Sequence, residues 1–272
     1  MLPITPVPRR ATSERRVEGR RLAYYVTAAD IDFWDHHWRT VLSRETYQAV
    51  EKGFLGSLEA PFLRHLPGTG RILEAGCGPG TVVVALRARG YDCEGIEWGK
   101  ETVRAVRALQ PNLPIRDGDV TRVDVPEGHY QAYISLGVME HRREGPEPFL
   151  KEAHRILAPG GIMMISVPSF HVLRRLKARL GFYPSRGEEL SFYQYAFSSA
   201  EMTEILGSAG FQVIEQFAYD SFKGIKDELP PVKWLSKMKS LNWRLPYWLG
   251  RSPWAERTFG HMMLFACRKT SG

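Results

Sequence analysis

The chain has 272 residues, of which 43% are hydrophobic and 25% charged, with 25 Gly and 18 Pro. This composition excludes collagen-like, low-complexity and wholly disordered chains, and the length suits one large domain with a sizeable core. The formal net charge of +7 is compatible with a nucleic acid, an acidic substrate or an anionic membrane as partner.

The positive charge lies at the two ends of the chain. Residues 1–30 carry a net charge of +3 and residues 222–272 carry +7, whereas residues 31–221 carry −3. The middle can therefore hold a catalytic domain that does not bind nucleic acid. The three cysteines, Cys77, Cys93 and Cys267, are too few and too scattered for a disulfide framework or a zinc site, and they suit a reducing cytosol. We therefore expect a cytoplasmic protein, with no apolar run of the ~18 residues that a transmembrane helix needs.

The first 68 residues are predicted to form a flexible basic tail over 1–20 and a helical cover over 21–68. Aromatic and aliphatic residues recur at helical spacing from 22 to 66. From residue 71, short apolar runs alternate with amphipathic stretches as far as 168, which predicts a cofactor-binding core over 69–168 with a mostly parallel, doubly wound α/β sheet.

The last hundred residues contain two further strands and two insertions. We expect a cap segment over 169–198, with a basic helix at Val172–Leu180 followed by a loop, and then a helix near Ser199–Gly210. Strands follow at Phe211–Ala218 and His261–Cys267, separated by an insertion over 222–260 that is far longer than a hairpin loop. We take residues 21–272 as a single domain.

A glycine-rich turn follows the first strand of the predicted core. Gly76, Gly78 and Gly80 lie between that strand and a helix that begins at Thr81, so a ligand can approach the backbone closely. The dinucleotide-binding fingerprint has glycine where this chain has Thr81. Glu74, just before the loop, would repel a pyrophosphate but suits a ligand with positive charge.

Acidic residues also follow the next two strands. Glu97 ends the second strand, where a carboxylate can accept hydrogen bonds from both hydroxyls of a ribose. Asp119 follows the third strand and could accept a hydrogen bond from an amino group on a base. Together with Glu74, these residues indicate a site for a cationic adenosine compound.

Several motifs in order resemble the class I S-adenosylmethionine-dependent methyltransferases, especially the small-molecule enzymes that include those of quinone biosynthesis. They are LEAGCGPG at 73–80, GIEW at 95–98, GDV at 118–120, YISLGVMEH at 133–141 and RILAPGG at 155–161. The resemblance covers roughly residues 70–168 and extends more loosely to 269. It implies a seven-stranded Rossmann-like sheet whose last strand is antiparallel, and S-adenosylmethionine as cofactor. One departure is Gln131, where the family often has Asp.

The same resemblance assigns roles to individual residues. Glu74 and the loop from Gly76 to Gly80 would contact the methionine end, and Glu97 the ribose. Trp98, Asp119 and Val120 would surround the adenine, and Leu136 the sulfonium. The implied cofactor contacts are Glu74, Gly76, Cys77, Gly78, Gly80, Glu97, Trp98, Asp119, Val120, Leu136 and His141.

Simpler roles remain open for several of these residues. The glycines could serve only a tight turn, and Glu97 could be a plain surface carboxylate. Asp119 could merely cap the next turn, and Trp98 could be ordinary core.

Methyl transfer is an in-line displacement, so the enzyme mainly aligns the acceptor, and a base is needed only when the acceptor carries a proton. His141, with Glu140 beside it, is the leading candidate because it follows the fourth strand at its carboxyl end. The alternative is that this pair only closes the cofactor pocket. His171 and Tyr195 are weaker candidates for the base.

No metal site is expected. Glu140, His141, Glu152 and His154 could suggest a cluster, but Glu152 and His154 lie two apart on a predicted helix and point to different faces.

The basic segments near the end of the chain are candidates for the part of the protein that receives the methyl acceptor. Four Trp lie among Lys and Arg within 233–254, and the helix at 172–180 mixes Leu with Arg and Lys. Such segments are typical of interfacial membrane elements, although a packed lid is the alternative. We predict methyl transfer to an oxygen atom of a small molecule, and that molecule could be hydrophobic or lipid-linked.

Two other function classes remain open: an RNA methyltransferase, suggested by the charge, and a non-catalytic S-adenosylmethionine-binding protein. Nucleic acid is not the expected partner, because no recognisable RNA-binding module flanks the core. The sequence does not indicate the oligomeric state.

Overall fold

The computed structural model describes residues 13–26, 38, 42–183, 190–235 and 252–270. The strands are Ser13–Glu18 (β1), Arg21–Val26 (β2), Arg71–Ala75 (β3), Asp92–Glu97 (β4), Ile115–Asp117 (β5), Tyr130–Leu136 (β6), Leu157–Pro168 (β7), Ser191–Ala196 (β8), Phe211–Tyr219 (β9) and Met262–Lys269 (β10). The α-helices are Arg44–Gln48 (α1), Glu59–His65 (α2), Thr81–Ala88 (α3), Lys100–Leu109 (α4), Glu147–Ile156 (α5), Val172–Arg179 (α6), Ser199–Ser208 (α7), Ser221–Glu228 (α8), Pro230–Leu235 (α9) and Pro253–Phe259 (α10). Short 3-10 helices cover Val50–Lys52, Gly56–Leu58 and Met139–His141.

A seven-stranded sheet in the order β5-β4-β3-β6-β7-β10-β9 forms the centre of the fold. Strands β3 to β7 pair in parallel, and β10 runs antiparallel to both β7 and β9. This confirms the predicted α/β class, including the antiparallel last strand.

Hydrophobic cores cover both faces of the sheet. Along β6, Tyr133 belongs to one core, whereas Ala132 and Ile134 belong to the other, as the two-residue period of a strand requires. Because β3, β4, β6 and β7 run in parallel, their carboxyl ends meet at one edge of the sheet. Ligands bind at this edge in open α/β sheets.

A second, three-stranded antiparallel sheet in the order β1-β2-β8 corrects three predictions. Strand β1 lies within the predicted tail, and β2 occupies residues that we expected to begin a helix. Gly19, with φ +58°, lies in the two-residue turn between them, a position that favours glycine in hairpins. Strand β8 replaces residues 191–196 of the loop predicted within 169–198, because these residues pair with β2.

The other predicted elements are found near their expected places. Helices and 3-10 turns cover most of residues 44–65, and α6, α7, β9 and β10 lie where the sequence indicated. Most of the predicted helical segment over 27–41 lies outside the described residues, as do residues 236–251 of the late insertion. Within the described part of the chain, no helix is long and apolar enough to cross a membrane.

Candidate cofactor site at the carboxyl edge of the sheet

The loop between β3 and α3 is built from left-handed backbone. Gly76, Gly78 and Gly80 have φ angles of +75°, +50° and +69°. The amides of Gly76 and Cys77 both donate to the carbonyl oxygen of Ile96, at 2.8 and 2.9 Å, which ties the loop to β4. Because L side chains disfavour this region, glycine at these positions follows from conformation.

Two aromatic residues of the N-terminal region, which no sequence motif links to the loop, lie against it. A β-carbon added at Gly78 would lie 2.9 Å from Cε2 of Trp38, so the indole packs on the loop backbone. The buried hydroxyl of Tyr47 donates to the carbonyl oxygen of Pro79 at 2.8 Å. Both residues lie in the N-terminal region that we predicted to be helical, but nothing in that prediction indicated a contact with the loop.

Gly78→Ala is expected to weaken S-adenosylhomocysteine binding by at least about tenfold, because a left-handed Ala costs about 1–2 kcal/mol and its methyl group would displace Trp38. Isothermal titration calorimetry measures the affinity. Gly19→Ala is the matched control, since Gly19 has φ +58° with no atom within 4 Å of an added β-carbon. Equal affinities for the two variants would show that the loop tolerates the methyl group.

Glu97 braces the loop. Its side chain is buried, and Oε2 accepts from the Gly78 amide at 2.8 Å while Oε1 accepts from the Gly99 amide at 2.9 Å. Glu97 is therefore not a plain surface carboxylate. Trp98, the next residue, is 61% exposed, which excludes the alternative that it is core and leaves its ring available to pack on a ligand.

Glu74 is a second buried carboxyl group at the same edge. Its Oε2 accepts from the Val83 amide in the first turn of α3 at 3.2 Å. Burial, opposed by this hydrogen bond and reinforced by the charge of Glu97, raises the pKa of Glu74 to about 8. A cation bound nearby would favour the carboxylate, so two buried carboxyl groups beside the glycine turn fit a cationic nucleoside.

The structure shows Asp119 in the role of turn cap. Asp119 is exposed, and Oδ1 accepts from the amide of Thr121 at 2.8 Å and from its hydroxyl at 2.7 Å. Oδ2 takes no part in that turn, so the adenine contact stays a prediction. Val120 is buried and Leu136 is half-buried at the end of β6.

His141 lies just past β6 and is oriented from the small sheet. Its Nδ1 lies 2.7 Å from the carbonyl oxygen of Tyr193 on β8. Since a carbonyl only accepts, Nδ1 carries the proton and Nε2 carries the lone pair. Burial lowers the pKa of His141 to about 4, so the ring is neutral at pH 7, as a base must be.

Glu140 is buried beside this histidine. Its Oε1 lies 4.0 Å from Nε2 of His141, and its Oε2 has no hydrogen-bond partner among the described residues. Burial raises the pKa of Glu140 to about 8. Glu140 is therefore largely uncharged at pH 7 and does not raise the pKa of His141.

The remaining candidates lie elsewhere or have structural partners. The hydroxyl of Tyr195, on β8, accepts from Arg143 at 2.7 Å. His171, before α6, is buried edge-on to Phe259. Glu152 accepts from the Val123 amide at 2.6 Å, and the described residues contain no group of three or more side chains that could hold a metal ion.

Comparison with known proteins agrees with this geometry. A family model described as a methyltransferase domain matches residues 34–216. An S-adenosylmethionine-dependent methyltransferase of Mycolicibacterium smegmatis is 32% identical over 143 residues, 52% of each chain. A ubiquinone biosynthesis O-methyltransferase of Psychrobacter arcticus is 28% identical over 150 residues, 52% of this chain and 58% of that protein. The chain thus spans about half the length of these curated relatives.

Solved structures share the fold. A chain from the complex between the Haloferax volcanii Trm112 methyltransferase activator and a methyltransferase has a TM-score of 0.59 at 18% identity, with 90% of this chain and 100% of that chain covered. The Burkholderia thailandensis 1,6-didemethyltoxoflavin-N1-methyltransferase, with bound S-adenosylhomocysteine, has a TM-score of 0.53 at 16% identity, with 95% and 100% covered. At these identities the likeness concerns architecture only.

Proposed function

Because the chain belongs to this methyltransferase-domain family, we propose that it transfers a methyl group from S-adenosylmethionine to a small-molecule acceptor. The observation that carries the proposal is the pair of buried carboxyl groups, Glu74 and Glu97, beside the left-handed glycine turn. When bound, S-adenosylmethionine supplies a methyl carbon activated by its sulfonium charge.

The residues around the turn hold that cofactor. Glu74 and the loop from Gly76 to Gly80, including Cys77, contact the methionine end. Glu97 accepts from the ribose hydroxyls while its carboxylate keeps the loop in place, and the exposed ring of Trp98 covers the adenine. The remaining proposed contacts are Asp119, Val120, Leu136 and His141.

His141 acts as the base when the acceptor is a hydroxyl. The Tyr193 carbonyl holds the Nδ1 proton, so Nε2 accepts the proton of the attacking oxygen. Glu140 limits access of water from the buried side. Oxygen is proposed as the acceptor atom because a neutral histidine at this edge matches the need of a hydroxyl for a base.

Two measurements test the proposal. Calorimetry should show binding of S-adenosylhomocysteine and none of NADH. A labelled-methyl screen over phenols, quinols, sugars, lipid extracts and RNA should then give label in a small molecule. Binding of NADH alone would contradict the cofactor assignment, and label only in RNA would contradict the acceptor class.

A hydrophobic or lipid-linked acceptor is proposed from the surface of the cap. On α6, Val172, Leu176 and Leu180 are 55%, 50% and 63% exposed and share one face, because they lie four residues apart. Exposed Arg175 and Arg179 lie on the same helix. Phe182, just after α6, and Trp234 and Trp254, in the late insertion, are exposed as well. An apolar stripe among cations fits the surface of an anionic membrane, so peripheral contact through 172–180 and 233–254 belongs to the proposal.

The double variant Leu176→Glu/Leu180→Glu is expected to reduce binding to phosphatidylglycerol vesicles by at least about tenfold, since each Leu loses about 1.5–3 kcal/mol of burial. Co-sedimentation at low and physiological salt measures it. Leu63→Glu, on a side chain that is 47% exposed on α2, is the matched control. Failure of the unmodified protein to sediment at either salt concentration would remove membrane contact.

A further inference from the structure

A buried histidine next to the start of β10 contacts two basic side chains. Nδ1 of His261 lies 2.9 Å from Nη2 of Arg174, and Nε2 lies 2.6 Å from Nζ of Lys223. His261 is 7% exposed and Arg174 is 1% exposed, so water does not separate these groups.

Proton counting assigns the roles of the three groups. An arginine is always protonated and only donates, so Nδ1 of His261 must accept from Arg174. The nearest carboxylate oxygen to Nδ1, Oδ2 of Asp227, is 3.8 Å away, too far to take a proton from it. A neutral imidazole with an unprotonated Nδ1 carries its proton on Nε2, which then donates to Nζ of Lys223. Only an amine with a lone pair can accept that bond, so Lys223 is uncharged.

The charge balance of the surrounding cluster points the same way. The carboxylate of Glu228, whose side chain is fully buried, forms ion pairs with Arg15, Arg174 and Lys177. Asp227 is the other carboxylate, and its Oδ2 lies 3.2 Å from Nζ of Lys223. A fourth cation would leave the cluster with two uncompensated charges, which is costly at buried positions.

Burial and the neighbouring charges shift the pKa of Lys223 in opposite directions. Burial, Arg174 and Lys226 lower its pKa, and Asp227 raises it, with a lowered pKa as the result. A lowered pKa increases the uncharged fraction at neutral pH, in agreement with the proton count. The charged and titratable groups of the surrounding elements are Asp227, Lys226 and Glu228 on α8, Arg174 and Lys177 on α6, His171 before it, His261 before β10, Arg15 on β1 and Glu256 on α10.

We propose that Lys223 is held as an uncharged amine between His261 and Asp227 and is an acylation site of this protein, with thioesters as the acyl donors. The Lys223 side chain is 22% exposed, so a small reagent can reach Nζ once Nε2–H of His261 releases the lone pair. Nζ then forms a bond to the thioester carbonyl carbon and the carbon–sulfur bond breaks. Asp227 accepts the proton lost from Nζ and passes it to the thiolate, so the products are an amide and a thiol. The inference does not depend on the proposed methyl transfer.

The pH dependence of acylation tests the proposal on the unmodified protein. We would treat it with S-acetyl-N-acetylcysteamine between pH 6 and 11 and quantify each acetyl-lysine by mass spectrometry. Acetylation of Lys223 should reach its half-maximal rate at a pH at least about one unit below the corresponding pH for Lys100, an exposed lysine of α4. The reason is that burial lowers the pKa of a lysine. Coincident profiles for the two lysines would overturn the proposal.

Variants of His261 distinguish the hydrogen bond from burial alone. His261→Gln can accept from Arg174 through Oε1 and donate to Lys223 through Nε2, so the low midpoint should persist. His261→Phe keeps an aromatic ring without either nitrogen, and the midpoint should rise toward that of Lys100. Equal midpoints in the two variants would show that the ring nitrogens do not control Lys223. If the Phe variant does not fold, the pH profiles of acetylation of Lys223 and Lys100 in the unmodified protein test the proposal.

Discussion

Glu97→Ala is expected to weaken S-adenosylhomocysteine binding by at least about 100-fold, because hydrogen bonds to a charged group contribute about 1.5–3 kcal/mol each. The proposed ribose hydroxyls would lose their acceptor. The Gly78 amide, now 2.8 Å from Oε2, and the Gly99 amide, 2.9 Å from Oε1, would lose theirs as well. The loop that we propose binds the cofactor would thus lose its support at the same time as the ribose loses its acceptor. Calorimetry with purified protein gives the affinity directly.

A control separates this effect from a general change of charge. Glu101→Gln removes an exposed carboxylate from the first turn of α4, where it pairs with Arg104, and should leave the affinity unchanged. Circular dichroism would establish that both variants are folded. Unchanged affinity in Glu97→Ala would contradict the assignment of the ribose site, and with it the argument that the carboxyl groups select a cationic nucleoside.

The glycine turn and the acidic residues beside it were predictable because their determinants lie close together in the sequence. A strand, a glycine turn and a helix follow one another within residues 71–88, and Glu97 ends the next strand. The parallel pairing of β3 with β4 brings Gly78 and the buried carboxylate of Glu97 together. The contact of Trp38 with the loop could not be predicted, since Trp38 and Gly78 lie 40 positions apart in the chain and no motif links them.

The small sheet was missed for a physical reason. Leu22, Ala23, Tyr25 and Val26 are buried, and their spacing is the same as that of a helix face. Strands covered on both sides lose the simple alternation that identifies a strand. The pairing of β2 with β8 joins residues about 170 positions apart, which periodicity in one window does not reveal.

That missed strand determines how the ring of His141 is oriented. The sequence placed His141 at the correct edge of the sheet, but its orientation depends on the carbonyl oxygen of Tyr193, 52 residues later in the chain. Because this contact fixes the Nδ1 proton, Nε2 is defined as the basic nitrogen only once β8 is in place. The small sheet therefore contributes to the proposed chemistry as well as to the packing.

His141→Asn is expected to lower kcat for a hydroxyl acceptor by about 10²–10⁴-fold, the usual contribution of a general base. The amide of Asn can still donate to the Tyr193 carbonyl and occupy the place of the ring beside the cofactor, but it cannot take a proton, so binding of S-adenosylhomocysteine should stay close to that of the unmodified protein. His154→Gln, on α5 where the ring packs edge-on to Phe211, is the control and should retain full activity. If His141 only closed the cofactor pocket, the Asn variant would instead lose cofactor affinity with little change in kcat.

The pH profile provides a second test of the same base. A base is active only when unprotonated, and burial holds the pKa of His141 near 4, so activity should be lost only as the pH falls toward that value. The unmodified protein should therefore show no acid limb near pH 6.5, the usual pKa of histidine. An acid limb at that pH which disappears in His141→Asn would still identify His141 as the base. It would also show that the ring is more exposed to solvent during turnover than in this structure, and that the site opens around the acceptor.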